Sequence, residues 1–223
     1  MDFFSGNSGN KLYETVTKVG EGCQQEGAFC QYLGETVAPK VFAIIPNGYV
    51  MERLERPRSL EHALLKIETL LKNHVWNRPA LESTTDEDWR DKLRMYGVDT
   101  PDWVTVTPCL VHGDPTVSNF MHRPFGGGVL IDPRAPRSYI PQTKETDMGR
   151  ILQSFFRWEC AAYGWPSIHY RTPVFFFEHE SMKQARFWCG AAAARIQYLE
   201  TSRPNPRESV LSWCQSVREV CHV

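Results

Sequence analysis

The sequence predicts an α+β fold in which a small strand-rich N-terminal part precedes a longer helical part. Three observations carry this. Up to Leu54, apolar residues sit in short β-branched runs broken by glycine, proline and asparagine. Beyond it they recur at helical spacing, as in Leu60, Leu64, Ile67, Leu71 and Val75. One strand–loop–strand insert, "LVHGDPTVSNFMHRPFGGGVLIDPR" (110–134), interrupts the helices with closely spaced polar residues.

Taken in order, "SGNSGN" (5–10) reads as a turn-rich loop and "KLYETVTKVG" (11–20) as one strand or a tight pair. "QQEGAFCQYLGE" (24–35) predicts a short helix ending near Gly34, with Gly27 working against it. "APKVFAIIPNGYVMERL" (38–54) predicts two strands turning at Pro46-Asn47-Gly48. Ser59 is placed to N-cap the helix that runs through Val75. "LESTTDEDWRDKLRMYG" (81–97) is a polar connector and helix, and "KETDMGRILQSFFRWECAAYG" (144–164) is a further helix. In "SMKQARFWCGAAAARIQYLE" (181–200) the stripe is Met182, Ala185, Trp188, Cys189, Ala192, Ile196 and Leu199, and a last amphipathic helix ends the chain. No internal repeat or low-complexity segment is present.

Composition narrows the classes. With 25 Lys+Arg against 26 Asp+Glu in 223 residues, there is no global basic field to indicate nucleic acid as a partner. Seven cysteines, an odd number without a C-x-x-C pair, argue against a disulfide framework and a structural zinc site. They fit small buried hydrophobes in a reducing cytoplasm. The first residues lack a signal-peptide pattern, and no apolar run approaches the roughly 20 residues that span a bilayer. A cytoplasmic protein with no membrane partner is the expectation.

The insert poses the chemical question. Asp114, Asn119 and Asp132 all suit turns, which is one reading of them. The other is phosphoryl transfer. That reaction uses a carboxylate to orient the attacking hydroxyl, oxygen ligands for Mg²⁺ and a cation on the nucleotide phosphates. Asn119 follows Asp114 by one short turn, and Asp132 ends the apolar "VLI".

"HGDPTVSN" followed by "LIDPR" resembles the catalytic core of the aminoglycoside phosphotransferase and choline kinase-like family. The resemblance implies a bilobal protein-kinase-like fold: a reduced N-terminal β lobe that binds nucleotide and includes the hinge (1–54), and a helical C-terminal catalytic and substrate lobe (55–223). It implies ATP and Mg²⁺ as cofactors and a small-molecule substrate with a hydroxyl group. Carried over residue by residue, Asp114 is the catalytic base, and Asn119 and Asp132 hold Mg²⁺. Lys18 in "VTKV" holds nucleotide phosphates, and Glu26 pairs with it. Ser8 and Gly9 lie in the phosphate-covering turn, and backbone groups of Met51, Glu52, Arg53 and Leu54 meet the adenine. His112 orients the loop, and Asp147 in "ETDMGRIL" supports it from a helix start. The resemblance covers residues 5–157 and leaves the last third as generic helices.

Two departures stand out. Little chain precedes Lys18, and Pro133-Arg134 follow Asp132 where kinases commonly have Phe-Gly. Arg134 and Arg137 are placed to meet a phosphate, an anionic substrate or surface carboxylates. A protein Ser/Thr kinase of the same fold and a non-catalytic nucleotide-binding module are the competing functions. The histidines at 122, 169 and 179 have no partners at metal-ligand spacing.

Overall fold

The computed structural model describes residues 14–56, 60–81, 86–124, 126–134, 141–156 and 180–223. Ser8, Gly9, Ser59, Arg137, Cys160, His169 and His179 lie outside these residues.

Strands β1 (Thr15–Val19), β2 (Val41–Ile45) and β3 (Gly48–Glu52) form an antiparallel sheet in the order β1-β3-β2. Asn47 takes the left-handed conformation (φ 59°) that the tight turn between β2 and β3 requires. Helix α1 (Cys23–Leu33) connects β1 to β2 and lies across this sheet. Gly27 makes that crossing close: a Cβ there would stand 2.7 Å from the Tyr49 side chain on β3 and 2.8 Å from Ile44 Cδ1 on β2. The glycine that weakens the helix locally is what lets it sit on the sheet.

Helices α2 (Leu60–His74) and α3 (Asp86–Met95) follow. A 3₁₀ turn (Val117–Asn119) then leads into a two-stranded hairpin, β4 (Phe120–His122) and β5 (Gly128–Leu130). Helix α4 (Lys144–Phe155), α5 (Glu180–Thr201) and α6 (Glu208–Cys221) complete the described residues. Thr143 caps α4 by accepting from the Thr146 N–H at 3.2 Å.

One hydrophobic cluster runs from Phe29 and Leu33 on α1, through Ile67 and Leu71 on α2 and Val75 just after it, to Leu110, Phe120, Leu130 and Ile151. It binds the motif-bearing hairpin to the helix that supports the sheet. A second joins Trp89 and Leu93 on α3 to Phe187, Trp188 and Ala191 on α5, and a third joins α5 to α4 and α6 through Leu152, Ala185, Cys189 and Val217. Helix α5 is therefore buried on opposite faces. Its core includes Phe187, Ala191, Ala193 and Ala194, which the one-stripe reading omitted, while Leu199, on that stripe, is exposed. The six described cysteines are buried free thiols. Among the described residues no helix is long and apolar enough to cross a membrane.

Gly27→Ala is expected to cost about 1–3 kcal/mol, the usual effect of an inserted methyl in a close contact. Urea denaturation of the variant checks this, and an unchanged midpoint would mean that α1 is free to move off the sheet.

Candidate functional site

Helix α4 is the platform on which the site is assembled. Asp147, Arg150 and Ser154 follow one another at helical spacing on one face, and each engages the loop that carries the motif. Asp147 is fully buried and accepts from the backbone N–H of His112 at 2.9 Å, the N–H of Gly113 at 2.8 Å and Trp76 Nε1 at 3.0 Å. Ser154 Oγ accepts from the Val117 N–H at 3.0 Å. Between them, Arg150 donates to Asp114 Oδ1 from Nε at 3.0 Å and from a terminal nitrogen at 2.5 Å.

The other Asp114 oxygen is 3.1 Å from the Arg134 guanidinium. Burial alone would raise the pKa of Asp114, but the two arginines outweigh it and hold the carboxyl below its ordinary value. Gly113 accommodates this approach. It takes φ 83°, and a Cβ on it would stand 3.0 Å from both the Cβ and the carbonyl of Arg134. His112 is fully buried, which lowers its pKa to about 4 against the pull of the Asp114 and Asp132 carboxylates. It is neutral at physiological pH, and its Nδ1 faces the Asp114 N–H at 3.4 Å.

Asn119 Nδ2 donates to the Asp114 carbonyl at 2.9 Å, which fixes the amide plane. The Ile131 N–H bonds the Asn119 carbonyl at 2.8 Å, so Asn119 and Asp132 sit together at the open end of the β4–β5 hairpin. Asp132 adopts the left-handed conformation at φ 57°. Its Oδ1 meets Lys18 Nζ of β1 at 2.7 Å, across 114 residues of sequence. The same ammonium is 2.7 and 2.9 Å from the Glu26 oxygens, and Tyr49 donates to Glu26 at 2.5 Å. Burial lowers the Lys18 pKa, but Asp132 and Glu26 more than reverse this, so the lysine stays charged. Burial and Glu26 both push the Tyr49 phenol up, which keeps it a donor.

Lys18, Glu26 and Asp132 thus meet directly, and Asp132 adjoins the Asp114–Asn119 loop. The residues expected around adenine lie at the end of β3 and just beyond it. Glu52 is buried against Arg123, at 2.8 Å, and accepts from the Lys40 N–H at 2.8 Å, while its own N–H bonds the Lys40 carbonyl. The Arg53 N–H bonds the Glu14 carbonyl, and its side chain pairs with Glu14. Met51 lies within β3, paired to both β1 and β2, and Leu54 follows the sheet as the chain leaves it. Central-strand pairing and the Arg123 anchor occupy groups that sequence spacing left open. Arg150, Ser154, Trp76 and Tyr49 were missed in the sequence reading. For the first two, a signal existed in their spacing from Asp147 on a helix that follows the motif.

The donor set fits a hard divalent cation. Asn119 and Asp132 offer an amide and a carboxylate oxygen at one hairpin end, suiting Mg²⁺ shared with a phosphate-bearing ligand. Among the described residues no three His, Cys, Asp or Glu side chains form a self-contained metal site.

No known family profile matches the chain, and no curated protein sequence matches it. Solved structures do. A choline kinase from Streptococcus pneumoniae is similar at a TM-score of 0.58 and 14% identity, covering 99% of this chain and 89% of its own. An ethanolamine kinase from Plasmodium vivax gives 0.55 and 9%, covering 100% and 81%. An aminoglycoside 2'-phosphotransferase-IIIa in its GDP complex gives 0.52 and 12%, covering 99% and 92%. The chain has the protein-kinase-like fold of these small-molecule kinases, as its motif led one to expect.

Asp147 provides a pH test. Burial raises its pKa from 3.8 to about 6 against the three N–H donors. Because the folded value is the higher one, its stabilising contribution is complete below 3.8 and is lost as pH rises through about 6. Protonation nonetheless weakens the bonds that hold the loop. The fluorescence of Trp76, isolated by subtracting a Trp76→Phe spectrum, should titrate near pH 6 and cease to do so in Asp147→Asn. Separately, Arg150→Met should cost about 3–5 kcal/mol by leaving a buried carboxylate without its main counter-charge. Adding Asp114→Asn should recover much of that loss in a denaturation cycle, and strict additivity would mean the pair is not coupled.

Proposed function

We propose that the protein is an ATP- and Mg²⁺-dependent, aminoglycoside phosphotransferase-like kinase. It moves the γ-phosphoryl group to a hydroxyl of a small molecule, in the cytoplasm. The observation that carries this reading is the convergence of Lys18, Glu26 and Asp132 beside the Asp114–Asn119 loop.

In this reading residues 1–54 form the nucleotide lobe with its hinge, and residues 55–223 the catalytic and substrate lobe. Lys18, held by Glu26 and Tyr49, meets the nucleotide phosphates. Leu54, where the chain leaves β3, offers backbone groups to adenine. Asn119 and Asp132 would hold Mg²⁺, which when bound offsets charge on the β- and γ-phosphates. Asp114 orients the acceptor hydroxyl. The oxygen–phosphorus bond forms as the bond from the γ-phosphorus to the β,γ-bridging oxygen breaks. The hydroxyl proton passes to Asp114, and ADP leaves.

The arginines around Asp114 make it a weak base, so proton transfer comes late and positioning dominates, as suits a loose transition state. A second reading has one observation in its favour. Both Asp114 oxygens face arginines, as they would in a module that binds nucleotide without turnover.

Incubating the protein with γ-labelled ATP, Mg²⁺ and either desalted protein or the small-molecule fraction of a host extract separates the readings. Label in small molecules, lost in Asp114→Asn by at least about a thousandfold while nucleotide affinity stays, is the expected result. Label in protein would instead identify a protein kinase. Tight nucleotide binding without transfer would favour the binding module. Asp132→Asn should lower Mg²⁺-dependent ATP affinity in titration calorimetry.

A further inference from the structure

A pair of thiols lies behind α4 and takes no part in the phosphotransferase reading. Cys189 is on α5 and Cys221 ends α6, and both belong to one hydrophobic cluster. Two glycines let three backbones close around them. A Cβ on Gly190 would stand 2.9 Å from Cys221 Cβ, so α6 comes flush against α5 at the residue next to Cys189. A Cβ on Gly149 of α4 would stand 2.8 Å from the Cys189 backbone nitrogen. Held in this way, the Cys189 thiol donates a hydrogen bond to the Cys221 sulfur. Sulfurs already in contact need only a short approach to reach the roughly 2 Å of a disulfide bond.

The two thiols are not equivalent. The bond from Cys189, helped by the Arg186 guanidinium and the Gly190 N–H, holds the Cys221 thiol below its ordinary value despite burial. The same bond, with burial, raises Cys189. Arg186 is anchored beside Cys221 by donating to the Val220 carbonyl at 2.9 Å. Cys189 has no exposure, whereas Cys221 keeps 7% in the last turn of its helix, where local opening costs least. The other buried thiols differ from Cys221. Burial, with a carboxylate near each, pushes Cys30, Cys109 and Cys214 up to about 12 and keeps them unreactive.

We propose that Cys189 and Cys221 are a reversible modification site, at which exchange with a small-molecule disulfide of the glutathione type joins the two sulfurs. The Cys221 thiolate attacks one sulfur of glutathione disulfide, whose S–S bond breaks and releases one glutathione thiolate. Cys189 then loses its proton and attacks the Cys221 sulfur, which expels the second glutathione. Two protein thiols are oxidised, one glutathione disulfide is reduced, and the two protons end on the two glutathione thiols. Excess glutathione thiol reverses the exchange, as with the transient disulfides of reducing compartments. When closed, the bond ties α6 to α5 where α5 packs on Gly149, between Asp147 and Arg150.

The test treats the reduced, folded protein with glutathione disulfide, blocks remaining thiols with N-ethylmaleimide and maps the peptides by mass spectrometry. Two of the seven thiols should be lost, with the Cys189 and Cys221 peptides joined to each other, and dithiothreitol should restore both. In Cys189→Ala, Cys221 should instead retain one glutathione as a mixed disulfide. In Cys221→Ala, Cys189 should stay unmodified. The joined form should unfold at a higher urea midpoint than the reduced one, because the bond closes a long loop in the unfolded chain. Folded protein that keeps all its thiols, while the same protein in urea is oxidised, would overturn the proposal. So would a bond from either cysteine to a different one, or a stable glutathione adduct on Cys221 of the unaltered protein. A lowered urea midpoint in the joined form would also overturn it, since the bond would then form only by distorting the packing of α5 on α6.

Discussion

A buried carboxylate holds the functional geometry together. Asp147 has no solvent exposure, and its oxygens receive hydrogen bonds from two consecutive backbone amides of the motif loop and from an indole on the segment after α2. A backbone turn through Gly113 at positive φ would otherwise present its N–H groups to the protein interior unpaired. Satisfying them with one helix-borne carboxylate fixes the loop relative to α4. Everything else on α4 that meets the loop follows from that registration. Arg150 lies one turn beyond Asp147 and reaches Asp114, and Ser154, one turn further, receives the Val117 amide.

The second constraint lies in the sheet. Lys18 on β1 meets Asp132 and also Glu26 of α1, and α1 lies close enough to β3 for Tyr49 to share that glutamate. The missing side chain at Gly27 permits that closeness. One hydrophobic cluster then joins α1 to α2 and to the hairpin that carries Asn119 and Asp132. The ion-paired lysine and the hairpin are thus held by a common core.

How much of this was legible depended on the range of the interaction. The strands up to Glu52 and the helices are local patterns that spacing carried, whereas the roles expected of Asp114, Asn119 and Asp132 came through resemblance. Lys18 and Glu26 were readable through resemblance, being eight residues apart in sequence and in contact in space. What escaped depended on tertiary partners. Glu52 was expected to offer backbone groups to adenine, yet its N–H bonds the Lys40 carbonyl and its side chain is buried against Arg123, a residue 71 positions away whose approach no local pattern encodes. The stripe on α5 was drawn too narrow because helices pack on its opposite faces, and a single-face template cannot represent that. Asp147 appeared as a helix-start residue, which it is, but its burial beneath the loop came only with the fold.

The backbone at Asp132 has a bearing on how such a site can change over time. The residue sits at φ 57° with a proline after it, a conformation that glycine and asparagine accept readily and that other side chains adopt at a cost of roughly 1–2 kcal/mol. Most replacements would thus combine loss of the charge with backbone strain and would be removed by selection for folding before function was tested. Asparagine and glycine escape this, since both accept the turn while removing the charge. Drift at this position therefore has two narrow exits, and descendants that had lost the chemistry while keeping the fold would be recognised by an asparagine or a glycine standing here.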